Sequence, residues 1–447
     1  MAYMSIKSMR NQKRLSTKRR TSNGAWVVAV DMGYGHQRAA FALRGLAVQG
    51  KIIAANEYAG MPDLDRIIWQ ETRSVYEFIS RFKKIPVLGD LAFSLMDKVQ
   101  EIKPFYPKER PLEPAGLQLR AIYGLMEKRH WGRHLIEKLD ERPLPFVATF
   151  PALAFMAEHW GYQGRIYLVV TDSDAARAWV PLFPQKTKIR YCAPSQLVAE
   201  RLAQYGVPKE NIFLTGFPLP EEFTSGEGFL QTKKALARRL IRLDPQRKYL
   251  TRYADVVRSY LGKVPTEPDG APVLTFAVGG AGAQQALGEQ MIRSLAPLLK
   301  EGKLRLCMVA STHEDAALKF RRAAKAEGLS AKEVEVVSCK SKEEYFAHFT
   351  KVLGTADILW TKPSELSFYA SLGIPLLLAP SIGSQEVQNR KWLLRIGAAV
   401  DQLKVEYAGE WLPDFLKQGL FAEAAMQGFV EMERNGTANI ISRVSAS

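Results

Sequence analysis

Asp31-Met32-Gly33-Tyr34-Gly35-His36 sets one imidazole where a glycine turn hands an apolar run to a helix. The preceding WVVAV (26–30) has the pattern of a buried strand, and Gln37-Arg38-Ala39-Ala40 opens a helical stretch. Gly33 and Gly35 permit a tight turn, while the helix start offers free N–H groups and the positive end of its dipole. Near that end His36 is expected to stay neutral. A neutral imidazole facing a crevice can take a proton from an attacking hydroxyl. A histidine that merely hydrogen-bonds backbone at the helix start is the plainer alternative, and this loop alone leaves both open.

Three further loops follow apolar runs. VLTFAV (273–278) leads into Gly279-Gly280-Ala281-Gly282, small residues that let backbone amides approach a phosphate closely. The spacing is neither G-x-G-x-x-G nor a P-loop, and tight packing would also use such residues. After DILWT (357–361) come Lys362, Pro363, Ser364 and Glu365, with Ser364 suited to cap a helix that Gly373 and Pro375 end. After PLLLAP (375–380) come Ser381, Gly383, Ser384, Gln385, Glu386 and Asn389, a polar cluster expected to enter a crevice. Asp172 and Asp174, in VVTDSDAARAW (169–179), could contact hydroxyls or a cation, or cap the next helix.

The elements that must carry these loops form two series. WVVAV, IIAA (52–55), PFVATF (145–150), IYLVV (166–170), IRYCA (189–193) and IFLTG (212–216) make the first. VLTFAV, LRLCMVA (304–310), VEVV (334–337), DILWT and PLLLAP make the second. Continuous apolar strands alternating with helices, such as 194–205 and 284–300, imply parallel sheets covered on both faces. The expected fold class is α/β with two doubly wound, Rossmann-like domains facing across a cleft. At 447 residues, two domains of roughly 200 residues each are the natural division. We divide the chain into a tail (1–24), a first domain (25–220), a basic interdomain segment (221–270), a second domain (271–405) and C-terminal helices (406–447). In such folds ligands bind beyond the carboxyl ends of the strands, where all these loops lie.

The 62 Lys+Arg against 46 Asp+Glu give a formal net charge of +16 and point to an anionic partner. Residues 1–24 hold seven of those cations and no acid, without the apolar centre of a secretory signal. A disordered, solvated arm is the expectation, with an organellar transit peptide left open. Specific nucleic-acid binding is not expected, because no aromatic-basic motif of known spacing occurs. Cys192, Cys307 and Cys339 show no CxxC spacing, which fits a reducing compartment and neither a disulfide framework nor a zinc site. No run of about 18 apolar residues could span a bilayer. Residues 75–107 mix Phe78, Phe82, Leu88 and Phe93 with Lys83, Lys84, Lys98 and Lys103, a composition that can lie in a membrane interface or pack as a helical insertion.

As an ordered set, these loops resemble the GT-B glycosyltransferases, in the group of monogalactosyl- and glucosyl-diacylglycerol synthases and the N-acetylglucosaminyltransferase of lipid-linked peptidoglycan precursor synthesis. The Asp31–His36 turn is similar to the glycine turn with histidine after their first strand. Val169-Val170-Thr171-Asp172 resembles their Val-Thr-Asp strand end, and Asn211–Leu219 the strand before their interdomain link. Gly279–Gly282 falls where their nucleotide-contacting loop opens the second domain. Thr361-Lys362, Gly373-Ile374-Pro375, Gly383-Ser384-Gln385-Glu386 and Asn389 follow the family order. The resemblance spans residues 26–400.

The resemblance implies a transfer of sugar from a nucleotide donor, UDP, to a lipid or lipid-linked hydroxyl, with inversion, no metal and no tightly bound cofactor. His36 would be the catalytic base. Gly280, Ala281, Gly282, Thr361, Lys362, Ser364, Glu365, Gly383, Ser384, Gln385, Glu386 and Asn389 would bind the donor. Gly33, Gly35, Asp172 and Asp174 would lie on the acceptor side. The expected setting is cytoplasmic, peripheral to the inner face of an anionic membrane, with oligomeric state undetermined. Where the family carries a ribose-binding glutamate, this chain reads Ser367-Phe368-Tyr369-Ala370, and the nearest acid is Glu365. That departure keeps two alternatives: a UDP-sugar epimerase or hydrolase of the same fold, and a non-catalytic nucleotide- or lipid-binding relative.

Overall fold

The apolar runs assemble into two six-stranded sheets in which every pairing is parallel. The computed structural model describes residues 24–71, 102–279, 284–381 and 383–446. The expectations for the basic tail before Gly24, for most of the 75–107 segment and for Gly280, Ala281 and Gly282 therefore lie outside the described residues.

The first sheet holds β1 (Trp26–Ala29), β2 (Ile53–Ala54), β3 (Phe146–Ala148), β4 (Ile166–Val169), β5 (Arg190–Ala193) and β6 (Ile212–Leu214), in the order β2-β1-β3-β4-β5-β6. Successive side chains leave a strand on opposite faces. Val28 and Val30 accordingly join one apolar cluster, while Val27 and Ala29 join another on the far face. Both faces are covered, so the strands read as unbroken apolar runs.

The second sheet holds β7 (Val273–Ala277), β8 (Arg305–Ser311), β9 (Val334–Ser338), β10 (Ile358–Thr361), β11 (Leu376–Leu378) and β12 (Ala399–Asp401), in the order β12-β11-β10-β7-β8-β9. The sequence reading did not include β12, whose Ala399-Val400-Asp401 is too short and polar to signal a strand. In each sheet the winding direction reverses once, between β1 and β3 and between β7 and β10. Loops leaving these strands diverge to opposite faces and open a crevice. The Asp31–His36 turn follows β1, and Lys362–Glu365 follows β10. These two loops thus stand at the switch points.

One segment differs from the sequence expectation. The basic stretch 221–270, expected between the domains, packs on the second one. Its helix Gly226–Leu243 buries Leu236, Leu240 and Leu243 in the core of the second domain, with Arg239 buried beside them and the other basic side chains on the remaining surface. Of the C-terminal helices, Ala408–Gln418 and Leu420–Glu431 pack on that same core through Trp411, Leu412, Phe421 and Phe429. The last helix, Gly436–Ser445, returns to the first domain, where Ile440 and Val444 join Val27, Tyr167 and Val169. It crosses tightly: a Cβ on Gly436 would sit 2.1 Å from the Phe217 carbonyl oxygen.

Candidate active site

Gly33, at φ 99°, caps the helix Tyr34–Ala42, a conformation that favours glycine. The turn sets His36 beside β3, and its Nδ1 lies 2.5 Å from the carbonyl oxygen of Thr149. A carbonyl only accepts, so Nδ1 carries the proton and the lone pair resides on Nε2. The Thr171 hydroxyl is 3.4 Å from the same nitrogen. The rings of Phe150 and Trp179 flank the imidazole at 5.0 and 6.1 Å between centroids. Burial lowers the His36 pKa below 6.5, against the Thr149 hydrogen bond and the charge of Glu365, which both raise it. The ring is therefore neutral at pH 7, with Nε2 basic.

Asp172 completes this cluster. Its Oδ2 accepts from Trp179 Nε1 at 3.0 Å. Burial, helped by the charges of Glu365 and Asp174 and opposed by the Trp179 hydrogen bond, pushes its carboxyl up to about 7. Asp174, expected on the acceptor side, is instead paired with Arg201 through both oxygens at 2.9 and 2.8 Å, deep in the first domain. The pair holds the loop to the helix Gln196–Gln204 and leaves that carboxylate no reach to the crevice.

On the facing domain, Thr361 ends β10 and is buried. The Lys362 stem lies against Gly279, where an added Cβ would be 3.0 Å from Cε, and its ammonium pairs with Glu386. Ser364 Oγ accepts from the Leu366 N–H at 3.4 Å and opens the 3₁₀ stretch Glu365–Leu372, which Gly373 ends at φ 70°. Gly383, Ser384, Gln385 and Glu386 form the start of the helix Ser384–Arg395. The N–H groups and positive dipole end at a helix start suit an anion. Asn389, expected to bind donor, has its amide engaged elsewhere. Its Oδ1 accepts from the Ser173 N–H at 3.1 Å and hydroxyl at 2.6 Å, and its Nδ2 donates to the Pro363 carbonyl at 3.0 Å.

Asp31, Tyr34 and Arg38 tie the glycine turn and its helix to the second domain, through partners of which the sequence reading had named only Glu365. Arg38, one turn into the helix, pairs with Glu365 at 3.2 Å and donates to the Tyr345 hydroxyl at 2.9 Å. Tyr34 meets the Ser311 hydroxyl and, at 3.0 Å, that of Thr312, while Asp31 pairs with Lys342. Gly35 allows the closest approach: a Cβ there would be 3.3 Å from Glu365 Oε2. A lone cation ahead of Ala39-Ala40-Phe41 early in the helix was the available signal for Arg38; its partners lie some 300 residues on and have no local signature. Among the described residues no group of three His, Cys, Asp or Glu side chains is arranged for a metal ion. Nor is any helix among them long and apolar enough to cross a membrane.

No family model matches the chain. A processive diacylglycerol beta-glucosyltransferase of Staphylococcus saprophyticus is 20% identical over 256 residues, 56% of this chain; the match spans about half of that protein's length, 54%. Among solved structures, MnaA of S. aureus with UDP aligns over 95% of this chain and 96% of its own at 12% identity and a TM-score of 0.48. The UDP-GlcNAc 2-epimerase of Neisseria meningitidis bound to UDP-GlcNAc aligns over 95% and 100% at 12% identity and a TM-score of 0.46. The fold rests on the sheet topology itself: two Rossmann-like domains facing across a cleft, the GT-B arrangement.

Proposed function

We propose that the chain is a glycosyltransferase that moves a sugar, with inversion, from UDP to the hydroxyl of a lipid or lipid-linked acceptor. The observation that carries this reading is the contact of His36 Nδ1 with the Thr149 carbonyl oxygen, at the first switch point and within the field of Glu365 of the other domain, from which a neutral imidazole with its lone pair on Nε2 follows. In the reaction the acceptor hydroxyl gives its proton to Nε2 as its oxygen attacks the anomeric carbon. The bond to the UDP oxygen breaks, and the diphosphate leaves with the electron pair. Lys362 and the N–H groups at Gly383–Gln385 would meet the developing charge, together with the amides of Gly280–Gly282. Lys362 is held by Glu386, so an arriving diphosphate exchanges one anion for another. Glu365 and Gln385 would hold sugar or ribose hydroxyls, and no metal or resident cofactor takes part.

The similarity to a diacylglycerol beta-glucosyltransferase supports the lipid acceptor. The test begins with thermal shift of the whole chain against UDP, GDP, ADP, dTDP and UDP-sugars. A ligand at about 100 times its Kd stabilises a fold by about 2.7 kcal/mol, a readily visible shift. UDP release should then depend on added lipid acceptor, and His36→Ala should keep the donor shift while losing roughly 10²–10⁴-fold in turnover. UDP or an altered UDP-sugar formed without any acceptor would favour the hydrolase or epimerase alternative. No shift with any nucleotide would sink the donor half of the reading.

A further inference from the structure

A second pocket system lies opposite the cleft, at the amino-terminal edge of the second sheet. One pocket of about 220 Å³ is lined by Arg238, Arg239 and Arg242 of the helix Gly226–Leu243, Arg305 at the start of β8, and Asp357 just before β10. It adjoins a second of about 150 Å³ with apolar walls from Phe223, Leu353 and Ile374 and Glu222 at its lining; Ala235, Arg238, Arg239 and Gly354 border both. Together they sit at the small end of the roughly 300–1,000 Å³ typical of ligand sites.

The charges do not balance. Arg239 is buried and bonds the Ala356 and Gly373 carbonyls, at 2.8 Å each. Arg242 pairs with Asp357 at 2.9 Å and Asp269 at 2.7 Å. Arg238 and Arg305 are exposed at the rim and belong to no ion pair among the described residues. Burial pulls the Arg239 guanidinium down to about 10; Asp357 opposes this, while Arg242 and Arg238 add to it. Gathering like charges around one small hollow raises its affinity for an anion. Guanidinium forks match the geometry of phosphate oxygens. Beside them, the apolar walls suit a hydrocarbon stem.

We propose that this double pocket binds an amphiphile with a phosphomonoester head, the phosphate on Arg238, Arg305 and Arg242 and the stem along Phe223, Leu353 and Ile374. The site is remote from His36 and independent of the reaction proposed above. Its test uses the full chain and calorimetric titration with dihexanoyl phosphatidic acid below its micelle concentration, with inorganic phosphate and dihexanoyl phosphatidylcholine alongside. Phosphatidic acid should bind saturably, inorganic phosphate about tenfold or more weakly, and phosphatidylcholine not at all. Arg238→Glu/Arg305→Glu, both exposed and therefore foldable, should lose about tenfold or more of the phosphatidic acid affinity. Gly354 offers a second variant. A Cβ there would meet only Phe223, at 4.0 Å, near the end of the helix Lys342–Thr355. Gly354→Leu should therefore fill the apolar pocket, keep the melting temperature, and abolish phosphatidic acid binding while sparing inorganic phosphate.

Unchanged affinity in the charge-reversed protein overturns the site. Inorganic phosphate binding as tightly as phosphatidic acid, or a Gly354→Leu protein that binds as before, overturns the amphiphile. Vesicles containing long-chain phosphatidic acid distinguish the sources: capture that needs Arg238 and Arg305 supports a membrane lipid. Failure of capture alongside intact short-chain binding supports a ligand taken from solution.

Discussion

Arg38 of the first domain and Glu365 of the second form an ion pair at 3.2 Å, both side chains largely shielded from water. The Arg38 guanidinium also stands 4.5 Å from the Phe349 ring centroid and 5.3 Å from that of Tyr345. Burial alone would weaken its charge, but Tyr345, Glu365 and Tyr369 more than offset this and hold it firmly protonated. The helix that begins with the His36 turn is thereby pinned across the cleft. Removing one partner of a buried pair leaves an uncompensated charge, so Arg38→Met should cost about 3–5 kcal/mol in urea unfolding. Arg38→Met/Glu365→Gln should recover part of that loss. Strict additivity of the two single changes would mean that the pair is not coupled.

Glu365 also acts on His36, raising its pKa against the larger lowering by burial. A histidine whose folded pKa is depressed stays neutral, and stabilising, above its ordinary 6.5 and loses that contribution as pH falls through the folded value. The His36 imidazole should therefore titrate below 6.5 by NMR, and the acidic limb of turnover should coincide with it. Glu365→Gln should move both to still lower pH. A His36 midpoint at or above 6.5 would contradict the geometry.

Much of this was legible in the sequence, and the reason is local. β1, β4, β7 and β10 announce themselves as continuous apolar runs, and loops after such strands face the crevice whatever the rest of the fold does. His36 was singled out that way. Its partner was not, because the Thr149 carbonyl reaches it only through the parallel register of β1 and β3. The segment 221–270 read as an interdomain segment because its arginines dominate the composition, while Leu236, Leu240 and Leu243 form a narrow buried stripe at helical spacing. Asp174 and Asn389 read as site residues because a polar group after an apolar strand has no visible partner in sequence. Arg201 and Ser173 supply those partners from 27 and 216 residues away.

Asp172 should leave a pH signature on stability. Its folded pKa of about 7 lies above its ordinary 3.8, so the folded state retains the proton more strongly than the unfolded chain. That contribution is fully present below 3.8 and is lost as pH rises through about 7. Asp172→Asn fixes the side chain in a neutral form that still accepts from Trp179. The variant's melting temperature should match wild type near pH 4 and exceed it increasingly toward pH 8. A difference that does not change with pH would show that Asp172 ionises normally.

Asn389 offers a direct separation of support from binding. Its amide joins the two domains by accepting from Ser173 and donating to the Pro363 carbonyl, and the side chain is almost wholly buried. Asn389→Asp keeps the acceptor but turns the donor into an oxygen facing another oxygen. A buried group left without its hydrogen bond costs about 1–3 kcal/mol, and a charge here would cost more, so this variant should melt well below wild type. Ser173→Ala removes only the hydroxyl and should cost about 0.5–1.5 kcal/mol. In that milder variant the thermal shift produced by saturating UDP should be unchanged, since the amide holds protein to protein. If Ser173→Ala preserves stability while Asn389→Ala removes the UDP shift, the amide belongs to the donor site after all.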